Sequence, residues 1–117
     1  MAKSIALEKS YTFALRVVRL YKYLCEEHRE YVLSKECLRS GTAVGAHVKE
    51  AQQAESRAVF HHEMAVALRK ASETEYWLQL LHDGEFLGER EFVSIHADCV
   101  ELQKILTRIV QKTNAPE

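Results

Sequence analysis

Six histidines and a large set of carboxylates are the first residues that could do chemistry in this chain, and the chemistry they suggest is metal binding on helices. A carboxylate-bridged di-metal bundle needs Glu-x-x-His on two helices, so that both ligands project inward one turn apart. No Glu here is followed three residues later by His. His61-His62-Glu63 is a cluster in sequence only, because neighbouring residues point about 100° apart on a helix and cannot close on one ion. His47 and Glu50 share a face, yet two ligands do not make a site. The nucleophile elbow Gly-x-Ser-x-Gly, the P-loop and Gly-x-Gly-x-x-Gly are all missing. Cys25, Cys37 and Cys99 are odd in number, widely spaced and without a CxxC cadence, so they read as reduced, small buried hydrophobes. The expectation is no catalytic residue, no metal and no cofactor: a chain that is not an enzyme.

Charge placement points elsewhere. Lys9, Arg16, Arg19 and Lys22 stand between Lys9 and Leu24 with no acid among them. On a helical wheel Lys9, Thr12, Arg16, Arg19 and Tyr23 fall within about 80° of one another. Cations interleaved with tyrosine on an outer face can contact phosphates and stack on a base. Lys9, Arg16, Arg19, Lys22 and Tyr23 are therefore the candidate nucleic-acid-binding residues. Residues 1–50 hold nine basic and six acidic residues, whereas 51–117 hold seven and eleven. The other reading of the stripe follows from that asymmetry: a solvated face, or one that meets the acidic half of a neighbouring subunit. A formal net charge of -1 argues against a strongly basic binder while leaving room for a local patch.

Polar residues also crowd the inward stripes. Arg39 and Ser40 lie beside a row of small side chains, and Glu73, Thr74 and Glu75 interrupt an apolar row between Ala71 and Leu78. Thr74 falls on that row and Glu75 borders it. A carboxylate so placed needs a partner, since burying it alone is costly. Arg39 and Arg69 are the candidates, and such a pair would fix bundle register or a subunit interface.

The elements that must position these residues are four helices. Phe13, Val17, Leu20 and Leu24 recur at helical steps and predict a first helix over about 10–27, with Ser10 as N-cap and Glu26-Glu27-His28-Arg29-Glu30 as the corner after it. Leu33, Cys37, Gly41, Val44, Val48 and Ala51 predict a second over about 32–55. Gly inside a helix costs about 1 kcal/mol relative to Ala. Gly41 and Gly45 therefore signal close approach of a neighbouring helix, or else a loop at Ser40-Gly41-Thr42 that splits the segment. Ser56 caps a third helix over about 57–82, which Asp83-Gly84 stops with a left-handed glycine. After Gly88, the residues Phe92, Ile95, Cys99, Leu102, Leu106 and Ile109 form a heptad seam. Short links force antiparallel neighbours, so the expected fold is all-α, an up-down-up-down four-helix bundle. It forms a single domain over 1–117 with a polar tail from about 113. No apolar run approaches the ~20 residues that span a bilayer, and the N-terminus has no apolar signal core, so the expected location is cytoplasmic, away from membranes.

Three strings carry a resemblance: Tyr11-Thr12-Phe13-Ala14-Leu15-Arg16-Val17-Val18, Leu38-Arg39-Ser40-Gly41-Thr42-Ala43-Val44-Gly45-Ala46, and Glu73-Thr74-Glu75-Tyr76-Trp77-Leu78. In order and spacing they resemble the 23S rRNA-intervening-sequence protein family over nearly the whole chain. The resemblance implies a small bacterial four-helix bundle with no attributed enzymatic activity and a poorly defined cellular role. It further implies assembly as a homopentamer. It also implies likeness to the accessory protein of diversity-generating retroelements, which binds nucleic acid and a reverse transcriptase. The implied partners are thus further copies of the chain, RNA or DNA, and a reverse transcriptase or ribosomal component. The positions that carry over are Arg16, Arg39, Ser40, Gly41, Gly45, Glu50, Glu73, Glu75, Tyr76 and Trp77, those from Arg39 onward as structural or interface residues. Two departures stand out: His47 replaces a usual Asn, putting a polar contact in doubt, and Val59 replaces an acid near a helix N-terminus. The functional expectation is a non-enzymatic, homo-oligomeric nucleic-acid-binding module, with a protein-interaction scaffold as the alternative.

Overall fold

Ser4 starts the first helix. Its Oγ accepts the Leu7 N–H at 3.1 Å, and helix α1 runs Ile5–His28 in the computed structural model, which describes residues 4–114. The helix therefore begins about five residues before the predicted cap. Ser10 is instead buried within it, its hydroxyl donating to the Leu7 carbonyl at 3.1 Å. The extension has a physical reason: Ala6 and Ser10 continue the inward row of Phe13 and Val17 at four- and three-residue steps. Arg29 closes α1 in the left-handed region (φ 51°), its N–H bonding the Leu24 carbonyl.

Helix α2 spans Leu33–Ala51 without a break. Gly41 and Gly45 are thus helical, and the loop alternative falls away. A Cβ on Gly41 would lie 2.9 Å from both Val17 methyls, and one on Gly45 would lie 3.4 Å from the Ser10 carbonyl oxygen. The glycines let α1 and α2 approach, as the spacing suggested. The helix stops four residues short of the predicted end, where Gln52, Gln53 and Ala54 N–H groups each bond a carbonyl three residues back.

Ser56 caps α3 (Arg57–Asp83) as expected, accepting the Val59 N–H at 3.1 Å. The far end differs. Gly84 has φ -80°, and the left-handed residue is Glu85 at φ 69°. Glycine is needed at 84 for room, since a Cβ there would sit 2.9 Å from the Leu80 carbonyl oxygen. Helix α4 spans Glu89–Thr113, so Thr113 belongs to the helix, and 115–117 of the expected tail lie outside the described residues.

The four helices form a ring in chain order. Each packs on its sequence neighbours, α4 returns to α1, and the diagonal pairs make no close backbone approach. This is the up-down-up-down bundle, 50 × 24 × 19 Å. Its core joins Phe13, Val17 and Leu24 of α1 to Val44 and Val48 of α2, Met64, Leu78 and Leu81 of α3, and Leu102 and Leu106 of α4. Ser40 and Thr74 are buried with it, and their hydroxyls share a 2.8 Å hydrogen bond across α2 and α3. Burial pushes the Cys37 and Cys99 thiols up to about 12, so both are neutral core side chains. No helix among the described residues is long and apolar enough to cross a membrane. The α1–α4 seam is the thinnest of the four, and it is where the basic stripe lies.

Candidate functional site

Turning Phe13, Val17 and Leu24 inward fixes the rest of α1 by the 100° step, and it brings Lys9, Arg16, Arg19 and Tyr23 to the flank beside α4. There α4 presents Ser94, Asp98 and Glu101 at four- and three-residue steps. Arg16 Nη1 meets Asp98 Oδ2 at 2.7 Å and Nη2 donates to Ser94 Oγ at 3.1 Å. Lys9 Nζ lies 3.4 Å from Glu101 Oε2. The basic first half and acidic second half of the sequence therefore meet inside one chain. Lys9 and Arg16, counted in the predicted phosphate-binding stripe, have much of their charge answered by α4.

Arg19 and Lys22 are different. Both are exposed, and neither forms an ion pair among the described residues. Arg19 stands on the rim of a groove of about 460 Å³ between α1 and α4. Leu20, Leu87 and Ile95 form its apolar floor, and Arg16, Arg19, Tyr23 and Glu91 stand around it. The Tyr23 hydroxyl lies 3.2 Å from His28 Nε2, with the two rings edge to face at 5.4 Å. His28 in turn meets Phe86 edge to face at 5.9 Å. Tyr23 is thus held at one end of the groove by an aromatic chain from the α3–α4 connection. The predicted stripe resolves into three parts: an α1–α4 clasp at Lys9 and Arg16, a groove rim at Arg19 and Tyr23, and Lys22, which the 100° step turns to the outer face of α1.

The second predicted set is scattered. Ser40, Gly41 and Gly45 serve the helix contacts described above. Arg39 and Arg69 are exposed and pair with neither Glu73 nor Glu75. Glu73 instead lies 3.5 Å from Lys70 Nζ. One step past buried Thr74, Glu75 faces α4 rather than α2. There it accepts from Gln103 Nε2 at 2.9 Å and bonds His96 Nε2 at 2.7 Å. The Gln103 bond, with the bond and charge of His96, holds the Glu75 carboxyl below the ordinary carboxylate range despite its part burial. Glu50 is exposed near the end of α2. Tyr76, 54 % exposed, packs edge-on against Trp77 at 5.0 Å. Trp77 Nε1 is buried with no hydrogen-bond partner among the described residues.

Three features were not anticipated. Glu30 takes the Val32, Leu33 and Ser34 N–H groups on its carboxylate at 3.1, 3.0 and 2.7 Å, capping α2 from three residues before its start. Its part burial pushes the carboxyl up, but these bonds outweigh that and hold it below the usual value. Phe92 is stacked between His82 (4.4 Å) and His96 (5.0 Å), and those imidazoles bond Glu89 and Glu75, each at 2.7 Å. Only the Phe92/His96 i,i+4 spacing hinted at this stack. His47 makes its own polar contact, Nδ1 to Glu63 Oε1 at 2.8 Å, so the departure from Asn keeps a polar link between α2 and α3. Val59 is exposed, and the first turn of α3 has no acid. Among the described residues no three His, Cys, Asp or Glu side chains converge as metal ligands.

A separate surface lies on the outer side of α1. Tyr11, Leu15 and Val18 recur there at four- and three-residue steps, Tyr11 66 % and Leu15 38 % exposed. Large apolar side chains in a row on an outer face mark an association surface more often than single exposed ones do.

No protein of curated function matches the chain at a significant level. A crystal structure of a protein of unknown function from the S23 ribosomal protein family of Bacteroides thetaiotaomicron superposes with a TM-score of 0.89 and is 46% identical. The match covers 91% of this chain and 98% of that one. The family profile described as 23S rRNA-intervening sequence protein matches residues 2–108, from before α1 well into α4. With the bundle, the glycine-mediated α1–α2 contact and both similarities in agreement, the chain belongs to the 23S rRNA-intervening sequence protein family.

Proposed function

We propose that this protein is a non-enzymatic, self-associating bundle that binds nucleic acid along the α1–α4 seam. The observation that carries the reading is the pair Arg19 and Lys22: two exposed cations, one turn apart on α1, without ion-pair partners among the described residues, Arg19 on the rim of the Tyr23 groove and Lys22 on the outer face of α1. Unpaired cations release counterions when they meet phosphates, whereas Lys9 and Arg16 would first have to give up Glu101 and Asp98. Two cations per chain make a weak site. Repeating them around an oligomer, a pentamer in this proposal, raises the overall affinity through effective concentration.

The test is an electrophoretic shift with total RNA at low and moderate salt, using the wild type and an Arg19→Ala/Lys22→Ala variant. The proposal expects a salt-sensitive shift that the variant loses in large part. An unshifted RNA at low salt, or equal shifts for both proteins, would overturn it. This pair is a cleaner probe than Arg16, whose removal also opens the clasp to α4. A second reading, a protein-interaction scaffold without nucleic-acid affinity, is favoured by the Tyr11/Leu15/Val18 row, and it expects self-association with no shift at any salt.

A further inference from the structure

We infer that the α1–α4 groove receives an unpaired nucleobase, which makes the ligand single-stranded; this rests on the nucleic-acid reading above and narrows it. The groove's floor is apolar, from Leu20, Leu87 and Ile95, with a few polar groups around it, the usual build of a site for a flat organic ring. Its volume, about 460 Å³, is in the range of small-molecule sites. The floor offers a phosphate no donor, and in the wall Glu91 offsets Arg19 while Arg16 is held by Asp98, so the groove suits a neutral ring better than an anion. A base suits the same wall, since Glu91 accepts from a ring or exocyclic N–H. Tyr23, its hydroxyl tied to His28, offers a restrained aromatic surface for stacking. Arg19 on the rim and Lys22 on the outer face of α1, both exposed, are then left for the phosphates that flank the base.

A base paired within a duplex is stacked above and below and cannot be pushed into a cleft between two helices. A splayed base of a single strand can. The geometry thus separates the two nucleic-acid forms, which the charge stripe alone does not.

The experiment measures binding of the full chain to three probes of equal length at one salt concentration: an oligothymidine, the same backbone made of abasic sites, and an oligo-dA·dT duplex. The inference expects the abasic strand and the duplex to bind about tenfold or more weakly than oligothymidine, the scale of one stacked base. Tyr23→Leu should bring oligothymidine down to the abasic level, and Tyr23→Phe should restore it. Equal binding of the abasic strand and oligothymidine would overturn the base-in-groove inference while leaving the phosphate reading in place. Binding of none of the probes would overturn both. The probe comparison needs only the wild type, so it stands even if Tyr23→Leu fails to fold.

Discussion

Two carboxylates have the clearest individual roles. Glu30 and Glu75 are both held below the ordinary carboxyl value, by backbone N–H groups at one site and by Gln103 and His96 at the other. A carboxyl whose folded-state pKa is depressed contributes stability that is complete above its unfolded value, 4.5, and is lost as pH falls through the lower folded value. Denaturant unfolding from neutral pH down to acid should therefore show stability falling below 4.5 in the wild type, with a shallower fall in Glu30→Gln and in Glu75→Gln. A parallel pH profile for the variants would deny both carboxylates that role. At neutral pH Glu30→Ala should cost about 0.5–2 kcal/mol, the range of a lost helix cap. Cysteine reactivity is a further residue-scale check. Cys37 and Cys99 are buried neutral thiols and Cys25 is half-buried, so alkylation of native protein, read by peptide mass, should mark Cys25 first. Early labelling of Cys37 would contradict the core packing.

At the scale of elements, the α1–α2 contact is decided by two glycines that behave differently. Alanine at Gly41 drives its Cβ to 2.9 Å from the methyls of Val17, a stiff β-branched side chain with little room to yield. Overpacking of this kind costs about 1–3 kcal/mol, more than the ~1 kcal/mol gained in helix propensity. Gly41→Ala should therefore lower the Tm, whereas Gly45→Ala, whose nearest atom is at 3.4 Å, should leave it unchanged or raise it. Reversed signs would show that the helices meet elsewhere. The elements were largely legible in the sequence, because apolar spacing and the cap at Ser56 are local signals. What escaped was set by tertiary geometry. Ser10 looked like a cap because a periodic row follows it, but Ala6 extends that row upstream. Glu30 caps across a corner, which no periodicity reveals. Glu75 finds Gln103 and His96 rather than Arg39 or Arg69 because a single wheel step turns it to α4. The candidate site was legible as a set of residue types, but which cations remain unanswered depended on Asp98 and Glu101, eighty or more residues away in the chain.

For the whole molecule, the proposed function assigns two surfaces: an apolar row on the outer side of α1 to self-association, and the α1–α4 seam to ligand. Tyr11→Lys with Leu15→Lys should convert a multimer of 13.5 kDa chains to a monomer with its helix content intact, as read by light scattering and circular dichroism. An unchanged mass would move the contact to another face. The central claim is that the exposed, unpaired cations Arg19 and Lys22 bind phosphate. Its most direct measurement is the salt dependence of affinity for a single-stranded oligonucleotide. Each phosphate contact contributes a slope of about -0.7 in log K against log salt. The wild type should weaken linearly with salt, and Arg19→Ala/Lys22→Ala should bind more weakly with a slope flatter by about 1.4 per ligand-contacting chain. Identical slopes for the two proteins would contradict the account.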